Sequence, residues 1–315
     1  EEILREILPP LDKARVLAGV QSPLFFGSAI ADFGVDKFLD YFVDYGSIPA
    51  SRKAVIEGEG GDKSAKKDDD IDDDDGVQVP AEYPEFSGFI FKMQANLDPQ
   101  HRDRLAYVRV ISGKYEKGMK VKHSRSKPSK TYSLAAAQAL FGQNREIIET
   151  AYPGDVIGIN NPGLFAIGDT LYTGSKKITF PGIPSFSPEK FAYITNPNPS
   201  SYKSFSKGLS QLLDEGAIQM LKQRDDEGGP IILAAVGQLQ FEVVMARLKD
   251  EYKVEAKLEP LGYSLARWAE GGWDAVDRAD ADGKLFGTMI VEDRWKRPVV
   301  LFRNDWKASD LERDE

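Results

Sequence analysis

The side chains most suited to chemistry in this sequence form two groups of cations. The first group lies in the segment from Gln100 to Arg104 and consists of His101, Arg102 and Arg104. The second surrounds a Ser-Lys-Pro-Ser turn and consists of Lys122, Arg125, Lys127 and Lys130. Arginine forms bidentate hydrogen bonds with phosphate, and each neutralised phosphate releases counterions. Both groups are therefore candidate contacts for a nucleic-acid backbone.

The charge around these groups is unlike that of the whole chain. Eleven Lys and Arg residues but only three acids lie between Lys92 and Lys130, in a protein of net charge -9. The second group has no acidic residue near it in sequence, which predicts an exposed hairpin tip with unpaired cations. In the first group, Asp98 or Asp103 can instead pair with an arginine and fix the loop. For that group both interpretations stay open.

The sequence contains few of the residues that other kinds of reactive site require. The chain contains no cysteine and two histidines, which excludes disulfides, thiolate zinc sites and thiol catalysis. The phosphate-binding loop G-x-x-x-x-G-K-[ST] is absent, because Gly113-Lys114 and Gly283-Lys284 are followed by Tyr115 and Leu285. We expect no catalytic residue, no metal site and no tight nucleotide binding in this chain alone.

The basic groups belong to a region of short strands. Apolar alternation separated by glycine turns predicts strands at 89–91, 105–111, 120–123, 155–159 and 170–172. Many short strands at this spacing predict a β-barrel over residues 85–178. The aromatic residues of this region are expected in the barrel core rather than as base-stacking platforms; they are Phe89, Phe91, Tyr107, Tyr132 and Phe141.

Helices return after the barrel. Helical patterns at 202–215 and 237–251 enclose the apolar run 231–236, which predicts a strand buried on both faces. Alternation at 253–258 predicts a further strand, and two more are expected at 286–291 and 298–302. We predict an α+β domain of ferredoxin-like type over residues 179–315, with a C-terminal extension. The four tryptophans, at 268, 273, 295 and 306, are expected in the core or in domain contacts.

Two segments precede the barrel. Residues 1–50 are predicted to form a helix, a short strand at 23–27, a turn and a second helix from Val35 to Tyr45. Residues 51–84 are predicted to be an acidic, disordered linker, because ten acids and three lysines lie between Glu57 and Asp75 without apolar periodicity. A solvated loop is the favoured interpretation of the acidic run, and a metal-binding or protein-binding tail is the alternative.

The order of these pieces resembles the translational GTPases, and most closely the release factor 3 family. The barrel opens with GFIFKMQANLDPQHRDR at 88–104, and the third domain contains AVGQLQFEVV at 235–244. The loop from Pro23 to Ala29 looks like the last nucleotide-facing loop of the GTPase core, in which the Ser28-Ala29 pair lies against guanine. The resemblance implies a multidomain chain. It would contain the end of a P-loop α/β domain, a barrel of the translation-factor domain II type and a ferredoxin-like third domain.

The resemblance also implies a function. The complete factor would use GTP and magnesium to recycle class I release factors from the ribosome during translation termination. This chain, a fragment without most of the GTP-binding domain, would dock on small-subunit RNA and proteins, contact the release factor, and hydrolyse no GTP by itself. We expect that the chain binds neither membranes nor DNA. The C-terminal stretch resembles the cyanobacterial and plastid branch, which implies the cytoplasm or the plastid stroma.

Two alternatives remain from the sequence. An elongation factor G-like translocase shares the barrel and the Leu239-to-Glu242 type of helix. It is the less favoured alternative, because we expect no further domains after residue 315. A free-standing ribosome-binding or RNA-binding module would work without any GTPase. A phosphate-binding loop encoded upstream in the same reading frame would distinguish the second alternative from the GTPase families.

Overall fold

The computed structural model describes residues 10–57, 76–95, 104–126, 130–141, 144–184, 186–224 and 228–313. Two antiparallel sheets dominate these ranges, one of eight strands and one of seven. None of the helices in the described ranges has the length and apolar character needed to cross a lipid bilayer.

The N-terminal segment contains two helices, α1 at Lys13–Leu17 and α2 at Val35–Tyr45. The bounds of α2 are those predicted, but neither helix contains a buried residue. The strand predicted at 23–27 is not formed, since among the described residues no strand pairs with it. A single strand leaves its backbone groups unpaired and therefore needs a neighbour. Several large apolar side chains of this segment are exposed, among them Phe26, Phe33, Phe42 and Val43.

The described residues in the middle of the chain form thirteen short strands. Their bounds are β1 Arg52–Ile56, β2 Val77–Val79, β3 Ser87–Gln94, β4 Leu105–Ser112, β5 Tyr115–Glu116, β6 Lys120–His123, β7 Tyr132–Ser133, β8 Ala137–Phe141, β9 Asn144–Ile148, β10 Thr150–Ala151, β11 Val156–Asn160, β12 Thr170–Tyr172 and β13 Ile178–Thr179. The eight-stranded sheet has the order β7-β6-β12-β3-β4-β11-β8-β9, and β10 pairs with β5.

This sheet wraps around one apolar core, as expected for a barrel. Ala106, Val108 and Val110 of β4 are fully buried, whereas Tyr107 and Arg109 between them are only half-buried. This alternation follows from the two-residue period of a strand. Strands β3, β5, β6, β8, β10, β11 and β12 contribute buried residues to the same core.

Strands β1 and β2 correct the prediction of a linker throughout 51–84. Strand β1 pairs with β2 on one side and with β13 on the other. Ala54, Ile56 and Val79 are buried against a small apolar cluster that includes Ile111 and Tyr172 of the barrel. The segments RKAVI and VQV are short, and they are stabilised by pairing with each other and with β13 and by packing against the barrel, which local pattern does not reveal. The acidic run at 58–75 lies outside the described residues, and the domain boundaries at residues 50, 84 and 178 stay predictions.

The third domain contains the remaining elements. They are β14 Lys190–Thr195, α3 Tyr202–Asp214, β15 Gln219–Lys222, β16 Ile231–Ala235, α4 Gln238–Tyr252, β17 Lys257–Leu261, β18 Leu265–Trp268, α5 Gly272–Ala281, β19 Met289–Asp293, β20 Pro298–Phe302 and α6 Asp305–Arg313. The sheet order is β17-β14-β16-β15-β19-β20-β18, and every pair is antiparallel. Elements β14 to β17 with α3 and α4 follow the order β-α-β-β-α-β of a split βαβ unit.

The seven-stranded sheet is covered on both faces. Leu233 and Ala235 of β16 pack on the side of α3 and α4, while Ile232 and Ala234 pack with residues of β18, β19 and β20. The apolar run at 231–236 therefore forms a strand buried on both faces, as predicted. Val300 of β20 contacts a further cluster with residues of α5 and α6, two helices that were not predicted.

Candidate nucleic-acid interface

The second basic group lies where it was predicted, on the hairpin of β6 and β7. Strand β6 pairs with β12 on its other side, with Leu171 opposite His123 and Tyr172 opposite Lys122. The turn begins at Ser124, whose amide donates to the Thr170 carbonyl at 2.9 Å, while its hydroxyl accepts from the Thr170 amide at 3.1 Å. The hairpin is therefore anchored to the barrel at its base, and its basic residues follow directly.

The expectation that this turn lacks an acidic partner is wrong for Arg125. Asp169, which precedes β12 and is 2% exposed, accepts hydrogen bonds from Arg125 Nε at Oδ1 and from Arg125 Nη2 at Oδ2 (2.7 Å). His123 Nε2 lies 2.6 Å from the same Oδ2 atom, and the Ala166 amide donates to it at 2.6 Å. Asp169 is 44 residues from Arg125 in sequence, so no local pattern reveals the pair.

The electrostatics of Asp169 show a carboxylate that is stabilised although it is buried. Burial raises the pKa of its carboxyl group, but the hydrogen bonds from His123, Arg125 and the Ala166 amide outweigh burial. The pKa of Asp169 is consequently lowered from its ordinary value. The ionised carboxylate therefore fixes the base of the basic turn.

The other residues of the second group differ in their surroundings. Lys122 Nζ donates to the Gly174 carbonyl at 2.7 Å, and Lys130 Nζ lies 5.3 Å from the centre of the Tyr132 ring. Lys130 is exposed, and the outer part of the Arg125 side chain also reaches solvent. Lys127 lies outside the described residues. The hairpin thus presents cations at the barrel surface, with Arg125 held in place and Lys130 resting on an aromatic ring.

The first basic group lies beside the third domain. His101 and Arg102 lie outside the described residues. Arg104 pairs with Asp214 at the end of α3, with Nη1 2.6 Å from Oδ2, and this partner is neither of the neighbouring aspartates proposed from the sequence. Arg294 of the third domain shares the same carboxylate, with its Nη2 3.1 Å from Oδ1.

A second carboxylate strengthens this junction between the barrel and the third domain. Glu215 Oε1 accepts from the Ala95 amide at the end of β3 at 2.7 Å, and its Oε2 accepts from Arg247 of α4. The pKa of Arg247 is raised, first by its hydrogen bond to Glu251 and further by Glu215, in opposition to burial. Asp214 and Glu215 were missed as functional candidates, because their partners lie 110 and 120 residues away.

The predicted guanine-loop residues form an exposed turn. Ser28 and Phe33 exchange two backbone hydrogen bonds, at 2.9 and 3.0 Å, and the Ser28 hydroxyl accepts from the Ala31 amide at 3.3 Å. Ala29 lies at the tip of this turn. Within the described ranges, no three His, Asp or Glu residues are arranged to hold a metal ion.

Comparison with known proteins adds to this geometry. Residues 85–174 match the model of elongation factor G domain 2, and residues 180–312 match that of the class II release factor RF3, C-terminal domain. A protein of Microcystis aeruginosa named peptide chain release factor 3 is 53% identical over 313 residues, which are 99% of this chain and 53% of that protein. The chain belongs to the release factor 3 family.

Other release factor 3 relatives give the same result. The proteins of that name from Gloeothece citriformis and Synechococcus elongatus are 52% and 50% identical, each over 99% of this chain. The chain spans about half the length of these relatives, with coverage of 53% and 52%. All three organisms are cyanobacteria, in agreement with the resemblance noted from the sequence.

Proposed function

We propose that this chain supplies the ribosome-docking and coupling domains of a translation termination factor. The complete factor would use GTP to recycle class I release factors from the ribosome. Membership of the release factor 3 family supports this proposal, because the matched relatives carry that name. The match of residues 180–312 to the release factor model favours it over an elongation factor G-like translocase.

The observation that carries the docking proposal is the basic hairpin, defined here as residues 120–133. It presents Arg125 and Lys130 on the barrel of a chain whose net charge is -9. The buried Asp169 carboxylate orients Arg125 rather than leaving it to move freely. Preorganised cations bind phosphate with a smaller loss of side-chain entropy. The hairpin is therefore suited to a fixed phosphate pattern, such as that of folded ribosomal RNA.

GTP and magnesium would be held mainly by parts of the factor other than the residues described here. The turn from Ser28 to Phe33 fits one wall of a base pocket, because its backbone is closed by two hydrogen bonds and its surface is exposed. Ser28 and Ala29 would then lie against the guanine. For the compartment, we propose the cytoplasm or a plastid stroma, where ribosomes of bacterial type translate.

The docking proposal predicts a strong salt dependence of ribosome binding. Replacing Lys122, Lys127 and Lys130 with alanine is expected to weaken binding to bacterial 70S ribosomes. The plot of log affinity against log salt should become shallower by about one unit for each lost phosphate contact. Arg125 is left intact, since its loss would also disturb Asp169. Sedimentation or interferometry at several salt concentrations gives both quantities.

A matched control comes from exposed lysines of the third domain. Lys203, Lys249 and Lys257 are exposed and lie far from the hairpin in sequence, so their triple alanine variant has the same change of net charge. Equal losses in the two variants would mean that attraction is diffuse. An unchanged affinity and salt slope in the hairpin variant would show that the hairpin does not meet the ribosome.

A second prediction concerns catalysis. The chain by itself is expected to show no GTP hydrolysis above background in the presence of ribosomes. The sequence contains no phosphate-binding loop, and that loop cradles the phosphates in GTPases of this type. A phosphate-release assay with and without 70S ribosomes checks this expectation, and ribosome-stimulated turnover by the 315-residue chain would refute it.

A further inference from the structure

The turn between β19 and β20 exposes a tryptophan among cations. Trp295 is 64% exposed, although tryptophan was expected in the core or in a domain contact. The guanidinium carbons of Arg294 and Arg297 lie 5.3 and 4.9 Å from the centre of its ring. Lys296 lies between them in sequence. An exposed indole ring flanked by two guanidinium groups is a candidate interaction site.

The turn that exposes Trp295 is held by hydrogen bonds to a buried carboxylate. Asp293 is 7% exposed, and its Oδ1 accepts from the amides of Trp295 and Arg297, both at 2.9 Å. Its Oδ2 accepts from Trp268 Nε1 at 3.0 Å and from Arg297 Nε at 2.7 Å. Four hydrogen bonds to one buried carboxylate therefore hold the backbone and direct Trp295 outward.

A second pair of the same chemistry adjoins the turn. The guanidinium carbon of Arg224 lies 4.1 Å from the centre of the Trp273 ring. Trp273 Nε1 donates to the Lys296 carbonyl at 3.0 Å, so the two indole–guanidinium pairs are joined through the backbone of the turn. We call this surface, made of Arg224, Trp273 and the residues 294–297, the Trp295 surface.

Among the described residues of the Trp295 surface, the cations outnumber the carboxylates bonded to them. Its cations are Arg224, Arg294, Lys296 and Arg297, and Arg104 of the barrel reaches the same edge through the Asp214 carboxylate that it shares with Arg294. The four arginines are bonded to three carboxylates, namely Asp214, Asp277 and Asp293. The arginines at 224, 294 and 297 keep 41–42% of their side-chain surface exposed. Part of each of these side chains is therefore accessible to an anion from solvent.

We propose that the Trp295 surface binds an unpaired RNA nucleotide and its flanking phosphates. A base would stack on the indole or on a guanidinium plane, and Lys296 with the neighbouring arginines would contact phosphate. Proteins that bind single-stranded nucleic acid without sequence preference use aromatic and arginine side chains that alternate on a basic surface. Trp and Arg also occur at protein–protein hot spots, but the excess of cations among the described residues of this surface favours a polyanion. The inference adds a second RNA contact to the proposed function, on a different domain.

Binding of a fluorescein-labelled uridine decamer to the whole chain tests the proposal. Trp295→Ala is expected to weaken binding by about fivefold to a hundredfold, since stacking on an aromatic side chain contributes about 1–3 kcal/mol per base. Trp295→Phe should retain most of the affinity, because a stacking ring remains. The salt slope should stay unchanged in both variants, whereas Lys296→Ala should reduce it by about one unit. A 10-base-pair RNA duplex, whose bases are already stacked, should show little effect of Trp295→Ala.

The control is Trp306→Ala, which removes a tryptophan of α6 that is 73% exposed and has no described arginine over its ring. Equal effects at 295 and 306 would overturn the proposal, as would an unchanged affinity of Trp295→Ala. Because the hairpin can also attract the decamer, Trp295→Ala is measured in the triple hairpin variant as well; the same fold-loss there would assign the effect to the Trp295 surface and not to the docking proposal. On 70S ribosomes, p-benzoylphenylalanine at position 295 should crosslink to RNA. Crosslinking to ribosomal protein alone would identify a protein partner and overturn the assignment.

Discussion

Replacing Asp169 with asparagine is expected to destabilise the barrel by about 2–3 kcal/mol. Removing one partner of a buried ion pair typically costs about 3–5 kcal/mol, and partial exposure of Arg125 reduces this figure. The carboxylate is surrounded by Arg125, His123 and the Ala166 amide. The uncharged asparagine side chain cannot replace all of its interactions with these three groups. For a domain of this size, the loss corresponds to a fall in melting temperature on the order of 10 °C.

The same carboxylate predicts a pH dependence. The pKa of Asp169 is lowered in the folded protein, whereas in an unfolded chain it is about 3.9. The carboxylate therefore contributes its full stabilisation above about pH 4, and that contribution is lost as the pH falls through the lower, folded-state pKa. Below about pH 4, the difference in stability between wild type and Asp169→Asn should consequently shrink. Urea denaturation at pH 7 and at pH 3 measures this difference.

The matched control for Asp169 is Asp155→Asn in the same barrel. Asp155 is exposed and accepts one hydrogen bond, from the Tyr152 amide at 2.8 Å. Its replacement should cost about 1 kcal/mol or less. Similar losses of stability in the two variants at pH 7 would mean that the buried cluster around Asp169 has no special role in stabilising the barrel.

The apolar periodicity of the sequence was sufficient to predict helices and strands that have a regular apolar face and a clear end. The helix Val35–Tyr45 and the strand Pro298–Phe302 have the predicted bounds, and the strand predicted at 105–111 ends one residue later. In each case the apolar residues recur at the period of the element, and a glycine, proline or turn marks an end. The strands that were missed, such as Arg52–Ile56, contain two or three inward residues and exist only because distant strands pair with them.

The candidate site was predicted less completely, because ion pairs form across the fold. The charge excess of the hairpin is visible in sequence, but the partner of Arg125 is 44 residues away and that of Arg104 is 110 residues away. Trp295 shows a different limit. Average burial places a tryptophan in the core, yet the sequence Asp-Arg-Trp-Lys-Arg at 293–297 interleaves an aromatic residue with cations, and this pattern was the available signal.

Neutralising both carboxylates of the domain junction is expected to release the third domain from the barrel. In Asp214→Asn/Glu215→Gln, Arg104 and Arg294 lose the carboxylate that they share, and the residue at position 215 no longer carries a negative charge to pair with Arg247. The Glu215 side chain is 8% exposed, so solvent compensates little for this loss. We expect the domains to lose about 2 kcal/mol of mutual stabilisation and to melt in separate transitions.

Distance measurements between the domains test this directly. Since the chain has no cysteine, Ser133→Cys and Ser206→Cys provide two exposed sites for spin labels, one on the barrel and one on α3. The distance distribution should be narrow with the junction intact and broad in the double variant. The control, Asp250→Asn/Glu251→Gln, removes the same charge from the exposed end of α4, and Glu251 bonds Arg247 but not the barrel. A narrow distribution and a single melting transition in the junction variant would show that other contacts couple the domains. If the junction holds as described, docking of the barrel on the ribosome positions the third domain through Asp214 and Glu215.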